Sequence, residues 1–244
     1  MSKICIVIPC YNEAQRIDKK YFMSFLETYC SEYDLFFIND GSTDSTVSLL
    51  SDLVTAYPDN CTINSMEKNS GKAEAVRSGV QLAAQTAKYS YIAYFDADMA
   101  TPLDEIKFMK EVVTNNPEVV MVLCSRMKRL GAKVSRKVSR HYLGRIFATF
   151  ASVILKLPVY DTQCGAKLIK ADVIPYVFSE QFITSWLFDV EILARLRNSN
   201  RNSILDILYE HPVTRWKDID GSKLKLKHMI KVPFDLLRIR NKYN

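Results

Sequence analysis

The sequence places two carboxylates one residue apart directly after a short run of β-branched and aromatic residues. Tyr91 to Phe95 (YIAYF) has the composition of a buried strand, and Asp96 and Asp98 follow it. Because side chains at i and i+2 lie on one side of an extended chain, both acids are expected to project together. Two close carboxylates repel each other unless a cation lies between them, and their hard oxygens suit Mg²⁺ or Mn²⁺. The simpler alternative is a solvated acidic turn before a helix, with Thr101 as N-cap and Pro102 at its first position.

Predicted strands and helices alternate along the first half of the chain and position these acids. Strands are predicted at residues 4–9, 35–38, 61–66, 91–95 and 119–124, and the helices between them end near residues 29, 57, 88 and 115. This alternation predicts βαβ units and a mostly parallel sheet with helices on both faces. Ligands of such sheets bind beyond the carboxyl ends of the strands. Pro9, Tyr11, Glu13, Asp40 and the acid pair all fall there, which favours a ligand site over a solvated turn.

The second half has a different pattern. Residues 133–157 are predicted to form a helix with an apolar stripe and a basic opposite face. A strand is predicted at 166–169, a helix at 186–198, a strand at 204–210 and an amphipathic segment at 229–239.

The composition indicates one large domain, or a domain with a tail. The chain has 244 residues, of which 48% are apolar, and its six cysteines form no C-x-x-C pair, as expected of a reduced cytosolic protein. No signal peptide or transmembrane helix is predicted. Residues 126–145 contain eight Lys or Arg and no acid, and residues 221–244 contain seven and one acid. These stretches indicate an anionic partner such as phosphate or a membrane surface. Nucleic acid is disfavoured because stacking aromatics are not interleaved with the cations.

Seven motifs in order resemble a family 2 inverting glycosyltransferase of the GT-A fold, in the branch of dolichyl-phosphate β-glucosyltransferases and polyprenyl-phosphate glycosyltransferases. They are VIPCYNE (7–13), NDGSTD (39–44), KNSGK (68–72), DAD (96–98), DTQCGAK (161–167), FDVE (188–191) and RWKDIDGSK (215–223). The resemblance implies an α/β fold with a Rossmann-like, mostly parallel sheet. Residues 1–220 would form one GT-A domain, with a nucleotide-sugar half (1–125) and an acceptor half (126–220), followed by a basic amphipathic tail (221–244). Relatives often carry transmembrane helices and none is predicted here, so a stable membrane anchor is not assumed.

The resemblance implies that UDP-glucose is the donor. The residues implied for the nucleotide-sugar are Pro9, Tyr11, Glu13, Asp40, Lys72 and Asp96. Tyr11 and Asp40 would hold the base, while Asp96 and Asp98 would bind the Mg²⁺ or Mn²⁺ that bridges the diphosphate. Lys72 is equally well explained as an ordinary exposed helix residue.

The implied acceptor is a polyprenyl or dolichyl phosphate. The residues implied for it are Arg126, Arg136, Arg140, Gln163, Arg215 and Trp216. Since a phosphate acceptor is already anionic, it needs cationic anchoring more than a general base, and Arg suits bidentate phosphate binding. The predicted catalytic residues are Asp98, Asp189, Arg126, Arg140 and Arg215. Asp189 resembles the base of relatives that use hydroxyl acceptors, with an orienting role as the alternative, and Trp216 is alternatively a core aromatic.

The resulting hypothesis is inverting transfer of a hexose, glucose from UDP-glucose, to polyprenyl phosphate at the cytoplasmic face of a membrane. The alternatives are a growing glycan or lipid-linked sugar as acceptor, and a membrane-associated binding module without turnover. The basic tail is expected to make peripheral membrane contact, with packing on the domain as the alternative. The apolar stripe near 142–157 is expected to contact either a membrane or a second copy in a homodimer.

Overall fold

The computed structural model describes residues 3–135, 138–199, 203–219 and 226–243, except for the side chains of 138–141 and 226–230. In chain order its elements are β1 Ile4–Cys10, α1 Lys19–Tyr29, β2 Tyr33–Asn39, α2 Thr46–Ala56, β3 Cys61–Ser65, α3 Lys72–Gln85, β4 Tyr91–Phe95, α4 Glu105–Asn115, β5 Met121–Ser125, β6 Lys133–Ser135, α5 Val138–Leu155, β7 Ala166–Lys170, α6 Ile174–Val177, α7 Phe188–Arg197, α8 Ile204–Ile207, β8 Leu208–Pro212, β9 Arg215–Lys217 and α9 Leu226–Tyr243. Two compact units are present: the first comprises Met1–Met99 and Leu168–Gln181, and the second Ala100–Lys167 and Phe182–Asn244.

The predicted mostly parallel sheet is confirmed. Its strand order is β3-β2-β1-β4-β7-β5-β8, and β1 pairs in parallel with both β2 and β4. Every residue of β2 and β4 is buried, which explains their nearly continuous apolar sequences, because helices cover both faces of a parallel sheet. The carboxyl ends of β1, β2 and β4 therefore lie along one edge of the first unit.

Three local predictions in the second unit are wrong. Residues 133–135 form strand β6, which pairs in parallel with β9, so the helix predicted from 133 begins at Val138. The segment predicted as a strand at 204–210 begins with the short helix α8, and strand β8 starts only at Leu208. α4 begins at Glu105 rather than at Pro102, and the predicted cap Thr101 is buried with its hydroxyl 3.5 Å from Cys164 Sγ.

The C-terminal helix packs on its own unit. α9 contacts α5 and α7 and buries Leu236 and Ile239. The Tyr243 hydroxyl donates to Glu191 and accepts from Arg195, so packing on the domain, the alternative weighed for the tail, describes this face of the helix. Among the residues that the structure describes, no helix is long and apolar enough to cross a membrane.

Candidate active site

The predicted acid pair lies at the carboxyl end of β4, in the first unit. β4 itself is buried, and the turn after it is closed by a hydrogen bond from the Met99 amide to the Asp96 carbonyl, with Met99 at a φ of 51°. Asp96 is ion-paired with Lys72, the first residue of α3, at 2.5 Å, and Asp98 with Arg16 at 2.5 Å. Each carboxylate is therefore balanced by its own side-chain cation.

The two carboxylates at this turn suit a divalent cation that takes its remaining ligands from water or from a substrate. Asp96 and Asp98 supply hard carboxylate oxygens, and their side chains are 36% and 17% exposed, so solutes can reach them. In the described ranges, no group of three or more His, Cys, Asp or Glu side chains could hold a metal ion by itself. A pair of carboxylates is the protein share expected for Mg²⁺, which keeps waters and takes further ligands from a substrate's phosphates.

The loop after β1 supplies Arg16, which sequence analysis did not select. Glu13 is buried and its carboxylate lies 3.2 Å from Arg16 Nε, while the same guanidinium reaches Asp98. The Glu13 amide donates to the Thr46 hydroxyl at the start of α2 and fixes this loop. Glu13 is thus joined to the acid pair through Arg16. The only local signal was the i, i+3 spacing of an acid and an arginine.

Asp40 organises the loop that leads to Lys72. Its buried carboxylate accepts hydrogen bonds from the backbone amides of Ser70 (2.6 Å) and Gly71 (2.8 Å) and from the Asn69 side chain (3.1 Å). Gly41, at a φ of 67°, permits this close approach, since a Cβ there would lie 2.6 Å from the Asn69 amide nitrogen. The base contact predicted for Asp40 stays a prediction. Pro9 and Tyr11 are half-buried at the neighbouring end of β1.

Arg126 is held rigidly in the second unit. Its Nε and Nη2 form a two-pronged ion pair with Asp161 at 2.6 and 2.7 Å, and its guanidinium lies 5.5 Å from the centroid of the Trp216 ring. The turn carrying Asp161 is fixed by Glu210, which accepts from the backbone amides of Tyr160 and Asp161. Burial raises the pKa of Glu210 above its usual value despite those two hydrogen bonds. Trp216 is buried, as the core-aromatic alternative requires.

Some buried polar atoms near Arg126 lack a hydrogen-bond partner. They belong to the residue before Arg126 and to the two residues after its ion-pair partner Asp161. In the described part of the chain, Ser125 Oγ, Thr162 Oγ1 and Gln163 Nε2 have no hydrogen-bond partner. Ser125 and Thr162 are almost completely buried, and the Gln163 amide nitrogen of the main chain donates to Asp161. Orphaned buried polar atoms of this kind are costly unless water or a ligand meets them, so this region suits a bound water or a polar ligand near Arg126.

Arg215 is exposed but its backbone is fixed by Glu105. The Arg215 side chain is 63% exposed and lies 4.0 Å from Asp104. Buried Glu105 accepts from the Thr214 amide (2.9 Å), the Thr214 hydroxyl (2.5 Å) and His211 Nε2 (3.0 Å). Burial would raise the pKa of Glu105, but the hydrogen bonds from His211 and Thr214 outweigh it and lower that pKa. Glu105 is not among the site residues predicted from the sequence motifs.

Asp189 forms a buried ion pair. Its carboxylate lies 2.6 Å from the ammonium of Lys167, whose side chain has no exposed surface, and Lys167 also donates to the Cys164 carbonyl at 2.7 Å. This pairing joins α7 to the turn at 161–164, as an orienting role for Asp189 would require. Of the remaining predicted residues, Arg136 lies outside the described residues, and so does the side chain of Arg140.

The fold and the acid-ended strand define a class of protein. The sequence model for glycosyl transferase family 2 matches residues 5–178, and the chain belongs to that family. The structure also resembles glucosyl-3-phosphoglycerate synthase from Mycobacterium tuberculosis, solved with Mn²⁺ and UDP-glucose, with a TM-score of 0.69 over 98% of this chain and 79% of that one. At 14% identity this likeness establishes the GT-A fold alone.

Sequence relatives are more specific. Dolichyl-phosphate beta-glucosyltransferase ALG5C of Trichomonas vaginalis is 31% identical over 96% of this chain and 69% of its own length. Dolichyl-phosphate beta-glucosyltransferase of Saccharomyces cerevisiae is 30% identical over 98% of this chain and 75% of its own. The resemblance predicted from the motifs is therefore confirmed at the level of the family.

Proposed function

We propose that this chain transfers glucose from UDP-glucose to dolichyl or another polyprenyl phosphate, with inversion at the anomeric carbon. The observation that carries the proposal is the similarity to dolichyl-phosphate beta-glucosyltransferases along nearly the whole chain. We further propose that the reaction takes place at the cytoplasmic face of a membrane, where such an acceptor presents its phosphate.

Residues of the first unit would bind the donor. Tyr11, Pro9 and Asp40 would form the base pocket, Asp40 acting partly through the 69–71 loop that it holds. When bound at Asp96 and Asp98, Mg²⁺ or Mn²⁺ supplies neutralisation of the charge on the leaving diphosphate. The Lys72 ammonium, already paired with Asp96, would add a second positive charge for those phosphates.

Residues of the second unit would bind the acceptor phosphate. Arg126, held by Asp161, and the exposed Arg215 would supply cations, and the unsatisfied Gln163 amide would supply a further donor. An acceptor phosphate oxygen would attack the anomeric carbon as the bond from that carbon to the UDP oxygen breaks. No proton has to leave the ionised nucleophile, so we assign Asp189 the orienting role indicated by its pairing with Lys167.

The test is transfer of label from UDP-[¹⁴C]glucose to dolichyl phosphate in detergent, with and without MnCl₂ or MgCl₂. We expect a labelled product that partitions into organic solvent, and loss of about 100-fold or more of the rate in Asp98→Asn. Glu111→Gln, an exposed acid on α4, is the matched control and should keep full activity. Label that resists lipid extraction would favour a glycan acceptor, and UDP-glucose that neither reacts nor raises the melting temperature would refute the donor assignment.

A further inference from the structure

Helix α5 carries its large apolar residues on the outside. Five of them are between 48% and 70% exposed: Tyr142, Leu143, Ile146, Phe150 and Val153. At about 100° per residue they fall within an arc of about 100°, hereafter the outer face of α5. Ala148, Ala151 and Leu155 lie on the opposite side and are buried, and the helix packs against α7 and α9. Most of the apolar stripe predicted from sequence therefore faces outward, although Leu157 at its end is buried and Phe147 contacts Trp186.

The outer face is a substantial apolar patch. Its five side chains together expose on the order of 400 Å² of apolar surface, which is the size of the largest exposed patch on a typical monomer, and such a patch is often functional. A second helix of the same unit also exposes large apolar side chains, since Phe234 and Leu237 of α9 are 67% and 47% exposed. Lys231 and Arg238 of α9 are exposed as well, so cations accompany apolar residues there.

The charge around α5 selects its partner. α5 contains no Asp or Glu, and the segment from 126 to 145 contains eight cations and no acid, although Arg126 is already paired with Asp161. In the loop before β6, Leu130 is 98% exposed and is preceded by exposed Lys128 and Arg129. Two copies meeting through this face would bring like charges together, which disfavours self-association. An anionic lipid surface attracts each such cation and accepts the apolar side chains.

We propose that the outer face of α5 lies in the interfacial region of an anionic lipid leaflet, with the flanking cations at the headgroups. This assigns the membrane contact to a helix inside the second unit, in addition to the C-terminal segment expected from sequence. This inference deepens the proposed function. The biological reason for the contact rests on that function, because the lipid acceptor would be held in the same leaflet. Binding of the leaflet itself requires neither donor nor acceptor.

The experiment is co-flotation of the full chain with vesicles of phosphatidylcholine alone or mixed with phosphatidylserine. The test variant is the double substitution Ile146→Ser and Phe150→Ser. Its matched control is Leu205→Ser and Tyr176→Ser, two large apolar side chains elsewhere that are similarly exposed, at 57% and 48%. Because all four positions are exposed, both variants should keep the wild-type melting temperature. We expect the test variant to bind phosphatidylserine vesicles about tenfold more weakly or worse, and the control to bind like wild type.

Wild-type protein that does not float, or equal losses in the two variants, would overturn the proposal. So would a lipid-free wild-type dimer that becomes monomeric in the test variant, because the face would then be a contact between copies. Vesicle binding without transfer in detergent would refute the proposed function and leave the outer face of α5 standing. Transfer in detergent without vesicle binding would support the proposed function and refute the assignment of the outer face of α5 to a lipid leaflet.

Discussion

Replacing Glu105 by Gln tests the buried network that fixes the backbone ahead of Arg215. The Glu105 carboxylate is 2% exposed and accepts from His211 on one oxygen and from Thr214 on the other. Glutamine keeps the shape but has one acceptor oxygen and an NH₂ group in place of the second. The Nε2 atom of His211 can accept a hydrogen bond from that NH₂ group when this nitrogen carries no proton. The variant should therefore fold, with neutral hydrogen bonds in place of charged ones.

The size of the effect follows from that exchange. A hydrogen bond to a charged group contributes about 1.5–3 kcal/mol, against about 1 kcal/mol for a neutral one. Glu105 accepts from four donors, the fourth being the Arg215 amide at 3.4 Å, and partial compensation by His211 leaves an expected loss of about 2 kcal/mol in the free energy of unfolding at pH 7. Because the folded-state pKa of Glu105 is lowered, its ionised form stabilises the fold above the unfolded-state pKa of about 4.3. That contribution is lost as the pH falls below this value and through the lower folded-state pKa.

Urea denaturation of wild type, Glu105→Gln and the exposed control Glu111→Gln at pH 7, 5 and 3.5 measures this. The difference in the free energy of unfolding between wild type and Glu105→Gln should have its maximum value at pH 7 and 5 and be smaller at pH 3.5. Glu111→Gln should have the same free energy of unfolding as wild type at every pH. A gap at pH 7 below about 0.5 kcal/mol, the usual size of a surface effect, would refute the reasoning. A gap that does not change with pH would show that packing, not charge, is responsible.

Three further predictions concern single contacts. Arg126→Lys keeps the charge but loses the two-pronged pair, so the KM for dolichyl phosphate should rise by about tenfold or more in steady-state assays while the KM for UDP-glucose stays unchanged. Lys167→Met strands the buried Asp189 carboxylate and should cost about 3–5 kcal/mol in urea denaturation, most of it recovered when Asp189→Leu is added; an additive double variant would contradict this. Gly41→Ala drives a Cβ against the Asn69 backbone and should weaken UDP binding measured by calorimetry, and unchanged affinity would show that the loop tolerates the shift.

The architecture of the first unit was predictable because its signals are local. Each strand of β1, β2 and β4 is a short apolar run, and each is followed by a helix of ordinary length. The acids after β4 could be located for the same reason, since their position depends only on where that strand ends.

Several side-chain contacts in the two units were not predictable, because the partners come from distant parts of the chain. Arg16 lies 82 residues before Asp98, and Glu105 lies 109 residues before Thr214. Strand β6 was mistaken for the start of a helix because its three residues become extended only by pairing with β9. No local pattern encodes such a contact, so tertiary structure overrides propensity there.

The contact made by Tyr243 links the last helix to the middle of the chain. Its hydroxyl donates to Glu191 and accepts from Arg195, while its carbonyl accepts from Arg197, so three residues within the last two turns of α7 share one residue of α9 as a partner. Removal of Tyr243 from the C-terminal end of α9 would therefore take one hydrogen-bond partner from each of Glu191, Arg195 and Arg197. Glu191 lies two residues after Asp189 in the first turn of α7, so loss of the Tyr243 contact would loosen the same turn that presents Asp189 to Lys167.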